Sequence, residues 1–252
     1  MIIFLIIIGL GAGILGSIIG VGGGIIITPA LTLMGFSPAH IASTSLIAVT
    51  STSASSTIAY SRQSRIDYKT ALKMVVFSIP GSVIGAFISN IISLEFFKVC
   101  FAILLMLTGI YILSKNYILR EKSYNQTRSA LSVLLIFTGS FFAGILSSLF
   151  GVGGGIIFVP IMVLILQMTM SKAVPTSQLI LFFTSLVGIM THMLLTTPDY
   201  FNALFLAAGA FIGGQIGAAI SHLIREKILQ KLLSISLIAV AVKLILDIID
   251  KL

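Results

Sequence analysis

The first 61 residues of the chain contain no Asp, Glu, Lys or Arg. Residues 74–94, 99–114, 129–171, 173–198 and 200–224 are equally free of them. A water-soluble fold built from such stretches has nothing polar to turn outward. A membrane-spanning helix needs about 20 largely apolar residues, each rising about 1.5 Å against a hydrocarbon core of about 30 Å. The charge-free runs fit that length singly or in pairs and predict an all-α, polytopic membrane protein. A transmembrane barrel would read as alternating segments of about ten residues, which are missing here. Charged residues make up 9% of the chain, against about 25% in soluble domains.

The formal net charge is +8, but its location matters more than its size. The basic residues sit in short connecting stretches, where they report topology. No soluble domain exists to gather them into a nucleic-acid surface, so nucleic acid is excluded as a partner. Cys100 is the single cysteine; it lies in an apolar run and is expected to pack there. Met1 leads straight into apolar residues without a basic region, so no cleaved signal peptide is expected.

The phrase Gly-Val-Gly-Gly-Gly-Ile-Ile occurs at 20–26 and again at 151–157. The surroundings repeat too. Ala12–Leu15 matches Ala143–Leu146, Ser17 matches Ser148, and Pro29 matches Pro160, all at a spacing of 131. One inserted residue then sets the spacing to 132. Thr44-Ser45 matches Thr176-Ser177, Asp67-Tyr68 matches Asp199-Tyr200, and Gly81, Gly85 and Ser89 match Gly213, Gly217 and Ser221. The chain is a tandem duplication: a first membrane repeat over 1–114, a linker over 115–128 and a second repeat over 129–252. Each repeat reads as five apolar pieces: 2–19, 24–34, 41–60, 69–90 and 95–114, then 130–150, 156–168, 173–195, 201–221 and 228–248.

Loop charges give the two repeats opposite hands. After the third piece of the first repeat come Arg62, Arg65, Lys69 and Lys73; the matching stretch His192–Asn202 has no Lys or Arg. Before the fifth piece the first repeat has only Lys98, whereas the second has Arg225, Lys227 and Lys231. Cytoplasmic loops collect Lys and Arg. Equivalent loops are therefore expected on opposite sides, which makes the repeats inverted. The linker, with Lys115, Arg120, Lys122 and Arg128, is expected in the cytoplasm and both termini outside. Pieces one and two must then cross an even number of times, as a broken or re-entrant hairpin turning at the glycines or as two spans. The hairpin reading gives three spanning helices and one hairpin per repeat.

Consecutive glycines disfavour helix by about 1 kcal/mol each. Broken backbone at membrane depth is tolerated only inside protein or beside a watery cavity. A helix restarting after the break offers free N–H groups and a positive dipole end to an anion. Broken helices at the interface of inverted repeats are a device of secondary transporters; close helix packing is the bland alternative. The candidate substrate-binding residues are Gly22, Gly23 and Gly24, Gly153, Gly154 and Gly155, and the paired hydroxyls Thr44, Ser45, Thr176 and Ser177, with Gln178 beside them. Ser43 or Thr44, and Thr176 or Ser177, are expected as helix caps. The run 50–57 is expected to bond back to its own helix. Asp67 and Asp199 are expected to cap helices, and Gly81/Gly85 and Gly213/Gly217 to pack. Gln215 either lines a cavity or bridges helices. His40, His192 and His222 are expected at solvated span ends. No metal or cofactor set is present in the sequence.

The doubled block GxxxGxxGVGGGxxxxP resembles the sulfite exporter TauE/SafE family of membrane transporters. Gly13, Gly16, Gly20, Gly22–Gly24 and Pro29 carry it in the first half. Gly144, Gly151, Gly153–Gly155 and Pro160 carry it in the second, where Ser147 replaces a glycine. The stretch RxxRIDYKTAL from Arg62 is similar as well. The resemblance spans essentially the whole chain and implies a permease of the cytoplasmic membrane for sulfur oxyanions, organosulfonates or carboxylates. The reading is a non-enzymatic secondary transporter moving a small anion such as sulfite by alternating access. The expected partners are that anion, the lipid bilayer, a coupling ion the sequence does not identify and, as an open arrangement, further copies of the chain. An anion channel on the same frame is the alternative. An intramembrane Ser–His hydrolase needs a His at membrane depth, and a scaffold has no use for two backbone breaks.

Overall fold

A computed structural model describes residues 2–118, 130–221, 223, 234–235, 238–239 and 241–246. Most of the linker, His222, most of the tenth apolar piece and the basic residues Arg225, Lys227 and Lys231 lie outside the described residues.

The described residues form helices and no strand. In chain order come α1 (Ile2–Ile19), α2 (Gly24–Leu33), α3 (Pro38–Arg62), α4 (Tyr68–Ile91) and α5 (Leu94–Ile118), whose last turn runs into the stretch expected as linker. The second repeat holds α6 (Ala130–Phe150), α7 (Gly155–Leu164), α8 (Met170–Leu195) and α9 (Tyr200–Ile220). Local chemistry sets several of these boundaries. Asp67 Oδ1 accepts from the Thr70 amide at 3.1 Å and Asp199 Oδ1 from the Asn202 amide at 3.1 Å, so both aspartates cap as expected. Ser37 stands in extended backbone at the start of α3, with Pro38 in the first turn, where its missing N–H costs nothing. That start, and the start of α8 after Thr169, correct one expectation. Ser43, Thr44, Thr176 and Ser177 lie inside their helices rather than capping them.

Glycine seams hold the helices together. A side-chain carbon on Gly13 would sit 2.5 Å from the Ala210 carbonyl oxygen, and one on Gly217 would meet the Ile14 carbonyl at the same distance. Gly9 and Gly213 likewise abut Leu206 and Leu10. On the other flank Gly81 abuts Phe141 and Gly85 abuts Ile145. In lipid, where apolar burial drives little association, such close backbone contact is a main source of helix affinity. Residue numbers rise together along both seams, so α1 runs parallel to α9 and α4 parallel to α6.

Hydroxyl bonds fix the remaining directions. Ser51 Oγ donates to Ala207 O at 2.7 Å and Ser55 Oγ to Phe211 O at 2.5 Å, so α3 is parallel to α9. Ser82 Oγ donates to Thr184 O at 2.9 Å and Thr196 Oγ1 to Asn90 Oδ1 at 2.9 Å, so α4 is parallel to α8. Thr50 Oγ1 reaches Ser185 Oγ at 2.8 Å while Arg65 Nε reaches Ser171 O at 3.1 Å, so α3 and α8 are antiparallel. Hence α1, α3 and α9 run one way, and α4, α6 and α8 the other.

Among the described residues, hydroxyls are buried between the helices and many large apolar side chains face outward. Ser53, Ser55, Ser56 and Ser185 are fully buried, whereas Ile91 is 84% and Leu194 87% exposed. α1, α4, α8 and α9 are each long and apolar enough to cross a membrane. α1 reaches that length by itself, more than a short re-entrant arm requires. α2 and α7 have ten residues each, about 15 Å of helix.

Candidate functional site

Both glycine phrases interrupt helix. Gly20, Gly22 and Gly23 have φ of 88°, 80° and 86°; Gly151, Gly153 and Gly154 have φ of 69°, 89° and 72°. This left-handed backbone is open to glycine and costly to other residues. It turns the chain from α1 into α2 and from α6 into α7. The caps of α2 and α7, Gly23 and Gly154, offer no side-chain hydrogen bond, so the first amides of each short helix receive none from their cap.

The two turns meet. A side-chain carbon on Gly24 would lie 2.5 Å from the Gly151 carbonyl oxygen, and one on Gly155 would strike Gly20 and Val21. The paired serines stitch the turns crosswise. Ser45 Oγ donates to Gly151 O at 2.7 Å, and Ser177 Oγ donates to Gly20 O at 2.7 Å. Each serine thus bonds the turn of the opposite half. Gln178 Nε2 donates to Gly16 O at 2.8 Å, and its Oε1 is buried without a partner. Thr28 Oγ1 donates to Phe150 O at 2.9 Å and lies 3.0 Å from Ser45 Oγ.

Two aliphatic side chains occupy the centre. A side-chain carbon on Gly22 would lie 3.0 Å from Val49 and 3.1 Å from Leu181; one on Gly153 would lie 2.7 Å from Val49 and 3.2 Å from Leu181. Val49 and Leu181 are equivalent positions, 132 apart. They plug the space between the turns.

Of the candidate residues, the glycines, Ser45, Ser177 and Gln178 gather at this junction. Thr176 bonds elsewhere: its Oγ1 donates to Lys172 O at 2.6 Å and accepts from the Asp67 amide at 3.0 Å. Thr44 is buried within α3. The run 50–57 is divided. Thr50, Thr52 and Ser56 bond back along α3, while Ser51 and Ser55 reach across to α9. Gln215 Nε2 donates to Ser55 O at 2.9 Å and bridges helices.

One histidine departs from expectation. His192 is fully buried, with Nε2 3.0 Å from Ser148 O, because α8 continues past it and lies against α4 and α6. The residues missed in the sequence were Val49, Leu181 and the Tyr60/His192 pair. The repeat register aligns each of these pairs, but an aliphatic pair suggests no chemistry and unlike residues conceal equivalence.

The two ends of the helix stack carry different contacts. At one end Arg65 donates from Nε to Ser171 O and from Nη1 to Gln63 Oε1 at 3.0 Å and Ser221 Oγ at 2.9 Å, with its guanidinium 5.1 Å from the Tyr60 ring centroid. The Asn90–Thr196 bond lies at the other end. A small indentation of about 10 Å³ beside the first turn is lined by Gly16 and Gly23 with Leu15, Ile19, Val21 and Ile25, and is apolar.

Helices of this apolarity, hydroxylated within and bare outside, define a helical membrane protein. The chain belongs to the sulfite exporter TauE/SafE family, whose model matches residues 5–244. It is 32% identical to "Probable membrane transporter protein YunE" of Bacillus subtilis, covering 97% of each chain. It is 29% identical to YdhB of the same organism over 86% of this chain and 89% of that one. It is 23% identical to YfcA of Escherichia coli over 94% and 86%. No solved structure matches. The family and these relatives are named as membrane transporters, not enzymes, and this chain is a membrane transporter of that type.

Proposed function

We propose that the protein is a secondary transporter that moves a small anion, a sulfur oxyanion or organosulfonate such as sulfite, across the cytoplasmic membrane by alternating access. The observation that carries this reading is the crosswise stitch of Ser45 to Gly151 and Ser177 to Gly20. It joins two helix N-termini, one from each half, at one point. The substrate sits where Val49 and Leu181 now meet, once these side chains part. Amides of Gly23, Gly24, Gly154 and Gly155 and the hydroxyls of Ser45 and Ser177 replace its hydration shell, with Gln178, Thr44 and Thr176 lining the approach. Helix N-termini favour anions without a fixed positive charge.

The halves act as inverted repeats. In support, equivalent helices run oppositely: α1 against the sense of α6, α3 against α8, and α4 against α9. The end that gathers Arg62, Arg65, Lys69 and Lys172 faces the cytoplasm, by the positive-inside rule. The Asn90–Thr196 end faces outward, which leaves the linker inside and both termini outside.

The test is flux in proteoliposomes, with radiolabelled sulfite, thiosulfate, sulfate, methanesulfonate and a carboxylate as the panel. Saturable uptake of at least one sulfur anion, stimulated by the same anion trapped inside, is expected. Rapid flux without such counterflow would assign the frame to a channel instead. Gly23→Val and Gly154→Val, which place a branched side chain at φ near 80° against Ala12 and Ala143, are expected to abolish uptake. Full flux in both overturns the model.

A further inference from the structure

The two halves solve one structural problem with different chemistry. Tyr60 and His192 are equivalent, 132 residues apart, and both are fully buried. Each reaches the main-chain carbonyl of an equivalent serine. Tyr60 Oη donates to Ser17 O at 3.0 Å, and His192 Nε2 lies 3.0 Å from Ser148 O. A carbonyl only accepts, so Nε2 carries the hydrogen and Nδ1 of the neutral ring is a bare acceptor.

In the first half the equivalent atoms are satisfied, although Thr57 Oγ1, one turn before Tyr60, is buried without a partner. The single phenol hydrogen is used, Ser17 Oγ donates to Ile14 O at 3.0 Å, and the preceding residue is Gly16. In the second half His192 Nδ1, Ser148 Oγ and Ser147 Oγ are all buried without a partner. Ser148 Oγ lies 3.1 Å from where a side-chain carbon on Gly188 would stand, on the face of α8 one turn before His192. Ser147 abuts Gly154, the cap of α7. Unpaired buried polar groups are rare and costly, and each calls for a partner that the described residues do not supply.

We propose that His192 is a proton-binding site that couples proton movement to transport. The inference rests on the transport reading above. The ring takes a proton from water on Nδ1, becomes imidazolium and keeps Nε2–H on Ser148 O. The Nδ1–H bond breaks when the proton leaves on the opposite side, so one proton enters and one departs. The added charge stands one helix away from the α7 N-terminus and offsets a monoanion there.

The ring has few titratable neighbours. α6 and α7 carry none in their described spans, and neither does α1. On α3, His40 lies at the same end, bonded to Ser37, while Tyr60 and Arg62 lie at the far end. On α4, Tyr68, Lys69 and Lys73 are at the far end, as is Lys172 on α8 itself. Glu95 and Lys98 begin α5, just beyond Asn90, and Asp199 and Tyr200 stand at the start of α9, just beyond Thr196.

The chain has three histidines, so ¹⁵N-imidazole NMR in nanodiscs resolves this one, and His192→Tyr, which installs the first half's own residue, identifies its signal. The expected result is conversion of His192 from the Nε2–H tautomer to imidazolium as the sample is acidified through the range in which the protein stays folded. In proteoliposomes, a pH gradient should concentrate methanesulfonate about tenfold per unit, as one proton per anion requires. His192→Tyr and His192→Gln should each lose that accumulation. A single neutral tautomer across the range overturns the proposal, as does undiminished accumulation in both variants. If the wild-type protein moves no methanesulfonate, the transport reading fails for that class, while the NMR titration still decides whether His192 takes the proton.

Discussion

A methyl group on Gly20 has nowhere to go. Its φ is 88°, and the added carbon would lie 2.7 Å from Ser177 Oγ and 2.9 Å from Val159. Strained backbone of this kind costs about 1–3 kcal/mol. For a chain of this size that lowers the midpoint of unfolding by roughly 3–10 °C. Gly11 lies in mid-helix with nothing within 4 Å of an added carbon, so alanine there is expected to leave the midpoint level or raise it. Cys100 is free and partly buried, and a thiol-reactive dye reports its exposure on heating. Equal midpoints for Gly20→Ala and Gly11→Ala would show that the turn does not need its left-handed glycine. The sequence marks these glycines because left-handed backbone selects one residue type. It does not mark the partners of Ser45 and Ser177. A serine side chain satisfies itself along its own helix or across to another with equal ease, and only the approach of the opposite turn decides. Ser43, Thr44, Thr176 and Ser177 were misread as caps for a related reason: a hydroxyl near a helix start looks like a cap until Pro38 or Thr169 is seen to begin the helix a turn or more earlier.

Between elements, the closing contacts at the two ends are unequal. Arg65 joins the end of α3 to the start of α8 and the end of α9 through two hydrogen bonds, held in place by a third to neighbouring Gln63 and by the Tyr60 ring, whereas Thr196 and Asn90 link the opposite end with one bond. The planar fork of arginine makes several of these contacts at once, which a lysine ammonium cannot copy. Val174 is 5% exposed, one turn of α8 beyond Ser171. A cysteine placed there in a Cys100→Ala background is expected to react slowly with a membrane-impermeant thiosulfonate applied from the Arg65 side. Arg65→Ala should speed that reaction about tenfold, a loss of about 1.4 kcal/mol from the closed arrangement, and Arg65→Lys less. Unchanged rates in both would mean that the arginine does not hold this mouth shut. The clasp was only half visible beforehand: Arg65 could be read as a topology marker from its loop, but Ser171 and Ser221 lie more than a hundred residues away and carry no charge to betray the contact.

Across the whole molecule, the arrangement of charge and the directions of the helices can be tested together. The loops after α3 and after α8 are equivalent by sequence. The first is bonded through Arg65 to the start of α8, and the second through Thr196 to the end of α4, so they lie at opposite ends of the helix stack. Loop charge predicts that the two lie on opposite sides of the bilayer, since Arg62 and Arg65 have no basic counterpart near Thr196. The depth of the hairpins was not legible in the same way, because the apolar run of α1 gives no sign of where the chain turns back toward α3. With Cys100 replaced by alanine, Ser64→Cys is expected to label with an impermeant maleimide only in inside-out vesicles, and Thr197→Cys only in right-side-out vesicles. Labelling of both from one face would make the repeats parallel in the bilayer. The crosswise serine stitch would then join two turns of the same orientation, and a site reached in turn from either side would lose its structural basis.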